Sequence, residues 1–194
     1  MFWADFFKEC SEEIMYKDLL NFCFNEAGSE KFFEKNEDFD TLLIERYSDL
    51  LEQAAASELY EWRCNVEGRL AEIIILDQFS RNIYRNTPAA FAQDGMSLAL
   101  AQEAVAIGAL EALETMDERK FLLMPYMHSE SKIIHQQAEK LFKQYTNAAT
   151  VDAELKHKVI IDRFGRYPHR NDILGRVSSS EEIEFLTQPD SSFL

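Results

Sequence analysis

Apolar residues recur along most of the chain at intervals of three and four, which is the spacing of one face of an α-helix. Strict alternation of apolar and polar residues, which is typical of half-buried strands, is scarce. The pattern therefore predicts an all-α fold of about eight helices. These predicted helices cover Ser11–Phe24, Phe39–Ala56, Glu67–Asn82, Thr87 to about Gly108, Asp117–Tyr126, Ser129–Gln144, Asp152–Phe164 and a short last helix that begins near Ser179.

Local signals indicate where several of these helices begin or end. Thr87-Pro88 is typical of a helix start, because Thr can cap and Pro at the first position gives up a donor that would be unpaired anyway. Pro125 lacks a backbone donor and is expected to kink or end the helix that contains it. Ser179-x-x-Glu182 has the spacing of a capping box. Short connections between helices predict stacked antiparallel hairpins.

The segment Glu67–Asn82 is apolar on nearly all sides, which predicts a central helix that is covered by its neighbours. With 194 residues, of which 46% are hydrophobic, the chain is expected to form a single globular domain over residues 1–194. Its 35 acidic residues outnumber the 20 basic ones and give a net charge of -15. Since binding to a phosphate backbone needs a positive face, nucleic acid is not an expected partner.

The cysteines and the apolar segments bear on the compartment. Cys10, Cys23 and Cys64 are odd in number, far apart and without a C-x-x-C pair, which favours reduced thiols in a cytoplasmic protein. The start of the chain lacks the basic region of a secretory signal. The longest strongly apolar stretch, Gly95 to Leu110, contains Glu103 and is too short to cross a bilayer, so no membrane partner is expected.

Arginine is concentrated in two short windows that contain no lysine. Six of the ten arginines lie there: Arg81 and Arg85 in the first window, and Arg163, Arg166, Arg170 and Arg176 in the second. The planar guanidinium suits two-point contacts with a carboxylate or a phosphate, whereas lysine acts as a point charge. The choice of arginine therefore indicates fixed contacts rather than general solubility.

The first window belongs to the segment Asp77–Arg85, with the sequence DQFSRNIYR. Asp77 and Arg81 are one helical turn apart, at the end of an apolar stripe, and are expected to pair. A second segment, Pro125–Glu130 (PYMHSE), carries His128 beside Ser129 at a predicted helix start, where backbone donors suit an anion. Each segment has a structural alternative: a buried network that fixes helix ends in the first, and capping by Ser129 in the second.

The second arginine window is the loop Arg163–Arg176 (RFGRYPHRNDILGR), in which two glycines and a proline predict irregular backbone. Four arginines, two aromatic residues and a histidine are an unusual content for a solvated linker, and stacking of arginine on the rings is expected. This loop either braces helices through salt bridges to Asp77, Glu130 or Asp94, or lines an anion-binding pocket. The spacing of His128, Glu130 and His169 matches no standard metal signature, so no metal is predicted.

These three segments together closely resemble the bacterial "domain of unknown function 924" family, with weaker landmarks at Phe39-Asp40, Trp62 and Phe91-Ala92-Gln93-Asp94. The resemblance covers about Asp18 to Phe193, so residues 1–17 form a variable N-terminal segment, and Phe32-Phe33 stands where the family pattern has a Trp-Phe pair. It implies an all-helical fold similar to the right-handed superhelix of tetratricopeptide-repeat proteins. It implies no established reaction, substrate or cofactor, and therefore no catalytic residue.

Two functional hypotheses follow. In the first, the three segments meet in a pocket for a small ligand that carries a phosphate or a carboxylate, and the protein is a hydrolase or transferase if it is an enzyme. The candidate binding residues are Arg81, Asn82, Arg85, Ser129, Arg163, Arg166, Arg170, Asn171 and Arg176, and the candidates for proton transfer are His128, His169, Asp77 and Glu130. In the second, the helical hairpins bind a protein or peptide, and the same polar residues only stabilise the fold. Fingerprints of a phosphate-binding loop, a dinucleotide fold and a serine nucleophile are absent, so no cofactor is predicted.

Overall fold

A computed structural model describes residues 15–189 and residue 191. Within these residues the chain is helical and contains no β-strand, so the predicted all-α class is confirmed. The predicted helix start at Ser11, the thiol of Cys10 and most of the variable segment 1–17 lie outside the described residues. Among the residues described, no helix is both long and apolar enough to cross a membrane.

Ten α-helices can be followed along the described chain, and shorter π and 3₁₀ turns join them. The α-helices are α1 (15–21), α2 (Glu37–Ala55), α3 (Val66–Ile74), α4 (Ser80–Ile83), α5 (Asp94–Ala106), α6 (Ala109–Ala112), α7 (Met116–Met127), α8 (Lys132–Tyr145), α9 (Ala148–Phe164) and α10 (Ser180–Leu186). The π turns are Phe22–Glu26 and Ile75–Phe79, and the 3₁₀ turns are Ser29–Phe33, Tyr60–Cys64, Pro88–Phe91 and Pro168–Arg170.

The predicted central helix is present, and it is formed by α3, the π turn Ile75–Phe79 and α4 in direct succession. Its apolar residues are buried on every side, because α2, α5 and α7 pack around it. The π turn was not predicted. It inserts an extra residue into the helix and places Asp77 and Gln78, both polar, in the buried interior. A buried carboxylate in the middle of the core needs partners, and these define the site described below.

The predicted helix from Thr87 to Gly108 is wrong as a single element. Pro88–Phe91 forms a 3₁₀ turn, and the α-helix begins only at Asp94. The Thr87 hydroxyl donates to the carbonyl of Tyr84 and is therefore not used as a cap for the following turn. Gly108 adopts a left-handed conformation with φ of 83°, which ends α5 and starts the short α6.

The break expected at Pro125 lies further along the chain. Pro125 is buried inside α7, which continues to Met127, so the helix tolerates one missing hydrogen bond where neighbouring helices cover it. The next helix begins at Lys132 rather than Ser129, which leaves residues 128–131 as a turn between α7 and α8. At the C-terminal end, the capping box of Ser179 and Glu182 is confirmed, with each side chain bonded to the other residue's backbone.

Helices α7, α8 and α9 pack in chain order, each against the next. One large apolar core extends from α1 to α8 and includes Trp62 and a set of stacked phenylalanine rings. A smaller cluster of Ile160, Ile161 and Tyr167 joins α9 to the loop that follows it. The polar site lies between these two clusters.

Candidate functional site

A cavity of about 90 Å³ opens where the end of α4, the C-terminus of α7, the middle of α9 and the loop after α9 meet. Its walls combine aromatic and apolar side chains with arginines and histidines. The lining residues are Phe32, Phe33, Gln78, Arg81, Arg85, Asn86, Ala90, Phe91, His128, His157, Tyr167, His169, Arg170 and Ile173. Parts of all three segments singled out in the sequence therefore meet at one place.

The four histidines of the chain surround the ring of Tyr167. Tyr167 lies 5.8 Å from His157, 5.5 Å from His169 and 6.4 Å from His135, measured between ring centroids. His128 in turn lies 6.4 Å from His157. No group of three potential ligands within residues 15–189 is arranged to hold a metal.

Asp77 orients the ring of His128 through contacts with its Nδ1 atom. The Nδ1 atom of His128 lies 2.8 Å and 3.0 Å from the two carboxylate oxygens of Asp77, which is almost completely buried. Because an ionised carboxylate can only accept hydrogen bonds, Nδ1 carries the proton and Nε2 is left with its lone pair. Nε2 has no hydrogen-bond partner in the described chain, and the imidazole lines the cavity.

Asp77 remains ionised because its partners compensate for its burial. Burial alone would raise the pKa of this carboxyl, but the charges of Arg81 and His128 and hydrogen bonds from His128 and Gln78 lower the pKa to about 2. Gln78 donates to Asp77 over 2.5 Å, and Arg81 pairs with it at 3.0 Å. Burial and the Arg81 charge lower the pKa of His128, against the opposing effect of Asp77, so the imidazole is neutral at pH 7.

Asp94 links the two arginines that flank His128. Its two oxygens accept from Arg81 at 2.9 Å and from Arg170 at 3.0 Å. Arg170 is buried between the rings of Phe91 and Tyr167, each centroid 4.6 Å from the guanidinium carbon, and also donates to the carbonyl of His128. The expected stacking of arginine on aromatic rings is therefore confirmed, and it fixes the guanidinium beside the imidazole.

A second, more open cavity of about 380 Å³ lies on the other side of this wall. Phe91, His128 and Arg170 line both cavities, and Ser129 and Glu130 line only the second. These three shared residues therefore form the wall between the two cavities. A ligand group bound at His128 is accessible from either cavity.

The other two histidines of the cavity are neutral at pH 7. Burial is the main cause in both cases: it lowers the pKa of His157 to about 3 and that of His169 to about 4, and the charge of Arg170 adds to the effect at His169. The Nδ1 atom of His157 donates to the carbonyl of Ala153, one turn earlier in α9.

A second pair of histidine and acid lies behind the cavity. His135 and Glu154 are both completely buried, with His135 Nδ1 2.8 Å from Glu154 Oε1. The other ring nitrogen, Nε2, lies 2.9 Å from the carbonyl of Ser129 and 3.2 Å from the hydroxyl of Tyr167. Tyr167 donates its hydroxyl proton to the carbonyl of Met127. This network fixes the turn 128–131, which carries His128.

Glu130 is part of the same frame and is not free for proton transfer. It accepts from the backbone of Tyr167 at 2.8 Å and pairs with Arg176 through both of its oxygens. Burial would raise the pKa of this carboxyl, but the bonds from Arg176 and Tyr167 outweigh it and lower the pKa. Of the four sequence candidates for proton transfer, His128 and His169 lie on the cavity, and Asp77 acts on it through His128.

Several predicted binding residues lie away from the cavity. Arg163 and Arg166 pair with Glu181 and Glu182 and anchor α10. Asn171 bonds to Ser178, and Asn82 donates to Asp40, which also pairs with Arg85 at the rim of the cavity. Of the predicted binding residues, the structure brings Arg81, Arg85 and Arg170 to the first cavity and Ser129 to the second. The other predicted binding residues line neither cavity and bond to other side chains of the chain.

Sequence reasoning missed His157 and the role of Phe91. His157 lies in α9 one turn before Ile160 and Ile161, and a polar residue on that buried face was the available signal. Phe91 had been noted only as a family landmark, and its use as a stacking platform for Arg170 depends on the 3₁₀ turn. Asp94 was foreseen as a partner for the loop, and this expectation is confirmed.

Comparison with known proteins agrees with the resemblance of the three segments. No curated protein matches the chain. A solved structure of a protein of unknown function from Agrobacterium tumefaciens is 34% identical in sequence and superimposes with a TM-score of 0.84, covering 90% of this chain and 97% of that one. The family described as "Bacterial protein of unknown function (DUF924)" matches residues 19–190. Because this match spans nearly the whole chain and contains all three segments, the protein belongs to the DUF924 family.

Proposed function

We propose that the cavity at His128 binds a small organic anion, and that His128 exchanges a proton with that ligand in a hydrolysis or transfer reaction. The observation that carries the proposal is the pair of Asp77 and His128, in which a buried carboxylate orients the imidazole and leaves Nε2 facing the cavity. A neutral imidazole held in this way can accept a proton at Nε2 and, once protonated, can act as an acid toward a bound anion.

Arg81 and Arg170 support this proposal as ligand-orienting residues. Both line the cavity on either side of His128, and neither side chain can move freely, because Asp94 and the aromatic rings hold them. A guanidinium that is fixed before the ligand arrives loses little conformational entropy on binding. The rings of Phe32, Phe33 and Phe91 line the same space, so a ligand bound against them would be partly removed from water, which strengthens its polar contacts.

A thermal-shift screen of carboxylated and phosphorylated small molecules tests this function. A ligand at 100 times its dissociation constant adds about 2.7 kcal/mol to the free energy of unfolding. For a chain of this length the melting temperature then rises by about 5–10 °C. At least one compound is expected to stabilise the wild type and to leave His128→Asn unshifted.

The matched control is Arg163→Ala, which removes an arginine in the last turn of α9 that is 44% exposed and lines neither cavity. This variant should respond to the compound as the wild type does. The function is refuted if no compound shifts the wild type, or if His128→Asn is shifted equally.

An alternative function is favoured by a different observation: Arg81, Arg85, Arg170 and Arg176 all pair with carboxylates of this chain. We propose in this alternative that α7, α8 and α9 stack as in the superhelix of tetratricopeptide-repeat proteins and bind a peptide or protein partner. The polar motifs would then be structural. The thermal-shift screen distinguishes the two functions, because only the binding site predicts a small anion that stabilises the wild type but not His128→Asn.

A further inference from the structure

We infer that the ligand of this cavity is a small monocarboxylate with a short apolar tail, and that its binding is accompanied by uptake of one proton at Nε2 of His128. The inference deepens the proposed function and rests on it. Three properties of the site carry it: the balance of fixed charges, the Nε2 atom of His128, which has no hydrogen-bond partner in the described chain, and the size and lining of the cavity.

The charges at the polar end of the cavity already cancel before any ligand binds. Arg81 contacts both Asp77 and Asp94, and Arg170 contacts Asp94, so two cations face two carboxylates. Arg85 at the rim is neutralised by Asp40, to which it is bound through two nitrogens. The arginines and their carboxylate partners therefore have no net positive charge. A bound anion would give the site a net negative charge.

Nε2 of His128 can absorb that excess. A protonated imidazole would donate from Nδ1 to Asp77 and from Nε2 to the ligand, so that one bound proton cancels one ligand charge. A dianionic phosphate would need two protons or would leave a net charge in a poorly hydrated place, which is costly. The balance therefore favours a ligand with one negative charge.

The groups around His128 favour this histidine over His157 and His169 as the site of proton uptake. Asp77 and Arg81 face it from the central helix, Asp94 from α5, His157 from α9, and Tyr167, His169 and Arg170 from the loop. Asp77 and Asp94 both act to raise the pKa of His128. His157 instead has a carbonyl at Nδ1, and burial holds the pKa of His157 and His169 near 3 and 4.

The volume and the apolar lining of the cavity limit the size of the ligand's tail. Phe32, Phe33, Phe91, Ala90 and Ile173 provide its walls, and the volume is about 90 Å³. A dry cavity of about 150 Å³ holds a benzene molecule, so this space fits a chain of a few carbon atoms. Because the rings offer few hydrogen bonds, a polar tail would lose more hydration than it regains.

Titration calorimetry tests the inference with three probes: butyrate, its neutral analogue butyramide, and inorganic phosphate. Measurements at pH 7 in two buffers that differ in ionisation enthalpy give the number of protons taken up. Butyrate should bind with an uptake of close to one proton, and its Kd should rise by up to about tenfold per pH unit between pH 7 and 8.5. Butyramide and phosphate should bind at least about tenfold more weakly, a difference of about 1.4 kcal/mol.

Two variants locate the proton. His128→Asn keeps a donor near the position of Nδ1 but has no counterpart of Nε2, so it should bind butyrate more weakly and without proton uptake. His169→Asn, which also changes a histidine of the cavity wall, should retain the uptake. Circular dichroism confirms that each variant is folded before it is titrated.

The possible outcomes separate this inference from the function on which it rests. Tighter binding of phosphate than of butyrate would overturn the monocarboxylate inference but leave an anion site in place. Proton uptake that persists in His128→Asn would place the proton on another group and overturn the assignment. If none of the three probes binds the wild type, the inference fails, and a negative thermal-shift screen of other anions would then refute the proposed function as well.

Discussion

Two pairs of histidine and acid lie within the same small region, and their surroundings differ. His135 and Glu154 are both fully buried, and each nitrogen of His135 has a partner. His128 and Asp77 have nearly the same spacing of 2.8 Å, but Nε2 of His128 is left for the cavity. A histidine paired with a carboxylic acid thus has both ring nitrogens bonded within the fold in one case and leaves one ring nitrogen for a cavity in the other.

The two pairs differ in the groups that surround the second nitrogen of each imidazole ring. The carbonyl of Ser129 and the hydroxyl of Tyr167 occupy the far side of His135. The far side of His128 instead meets two cavities, with Arg170 and Phe91 beside it. The buried pair holds the turn that carries the open one, so stability and candidate chemistry are linked through residues 128–131.

The largest effect is expected from breaking the buried pair. Glu154→Ala leaves His135 without its acid and opens a cavity, which should lower the free energy of unfolding by about 3–5 kcal/mol. Urea unfolding with an unchanged slope measures this loss. Burial raises the pKa of Glu154, which favours a protonated acid that donates to His135 Nδ1. Glu154→Gln can donate in the same way and should cost less than half as much; equal losses in the two variants would contradict this arrangement.

Acid is expected to destabilise the fold mainly through His157 and His169, the histidines that line the cavity with His128. Burial lowers the pKa of His157 to about 3 and of His169 to about 4, so the unfolded chain binds protons first as the pH falls below about 6.5. Stability is therefore complete above pH 6.5 and should fall by roughly 3 kcal/mol by pH 5, since one pKa unit corresponds to about 1.4 kcal/mol.

Urea unfolding at pH 7, 6 and 5 measures this dependence. The double variant His157→Asn with His169→Asn should have a much flatter profile. The raised pKa of Glu154 acts in the opposite direction, because protonation of that acid stabilises the folded chain. A wild type whose stability is constant from pH 7 to 5 would show that these imidazoles are not held neutral.

A smaller effect is expected at the contact between the two pairs. Tyr167→Phe removes the hydroxyl that donates to Met127 and faces His135 but keeps the ring that stacks on Arg170. The free energy of unfolding should fall by about 1–2 kcal/mol. Calorimetric titration with butyrate should give the same proton uptake as the wild type. Loss of that uptake would show that the two pairs cannot be treated as separate units.

The smallest effect belongs to the arginine outside the cavity. Arg163 pairs with Glu181, and both side chains are largely exposed, at 44% and 60%. Because solvent screens such a pair, Arg163→Ala should change stability by less than about 1 kcal/mol. Arg170→Ala, in which a buried guanidinium loses two stacked rings and Asp94, provides the contrast in the 3₁₀ turn that follows α9. Similar melting temperatures for the two variants would contradict the division of the arginines.

The sequence predicted the helical class and the meeting of three segments, because the apolar period and the paired spacing of Asp77 and Arg81 are local signals. It did not predict the π turn Ile75–Phe79 or the continuation of α7 past Pro125, since packing by neighbouring helices decides both. Helix starts were missed by two to four residues where an unexpected side chain caps. Asn147, for example, caps α9, which begins at Ala148, four residues before its predicted start at Asp152.

The membership of the site was less predictable than its location. Nothing in the sequence distinguishes Arg163, Arg166 and Arg170 from one another. They differ in the acidic residue that each one pairs with in the folded chain. His157 carried no motif and joined the site only through the packing of α9. Distances between segments that are far apart in sequence therefore decide which arginines and histidines can contact a ligand.

The most direct test of the account is ¹⁵N NMR of the four imidazole rings, with and without butyrate at pH 7. We expect His128 to be protonated at Nδ1 alone in the free protein and at both nitrogens when butyrate is bound, with the signals of His135 unchanged. If Nε2 of His128 already carries the proton in the free protein, or if butyrate changes the protonation of His135 instead, the central claim is contradicted.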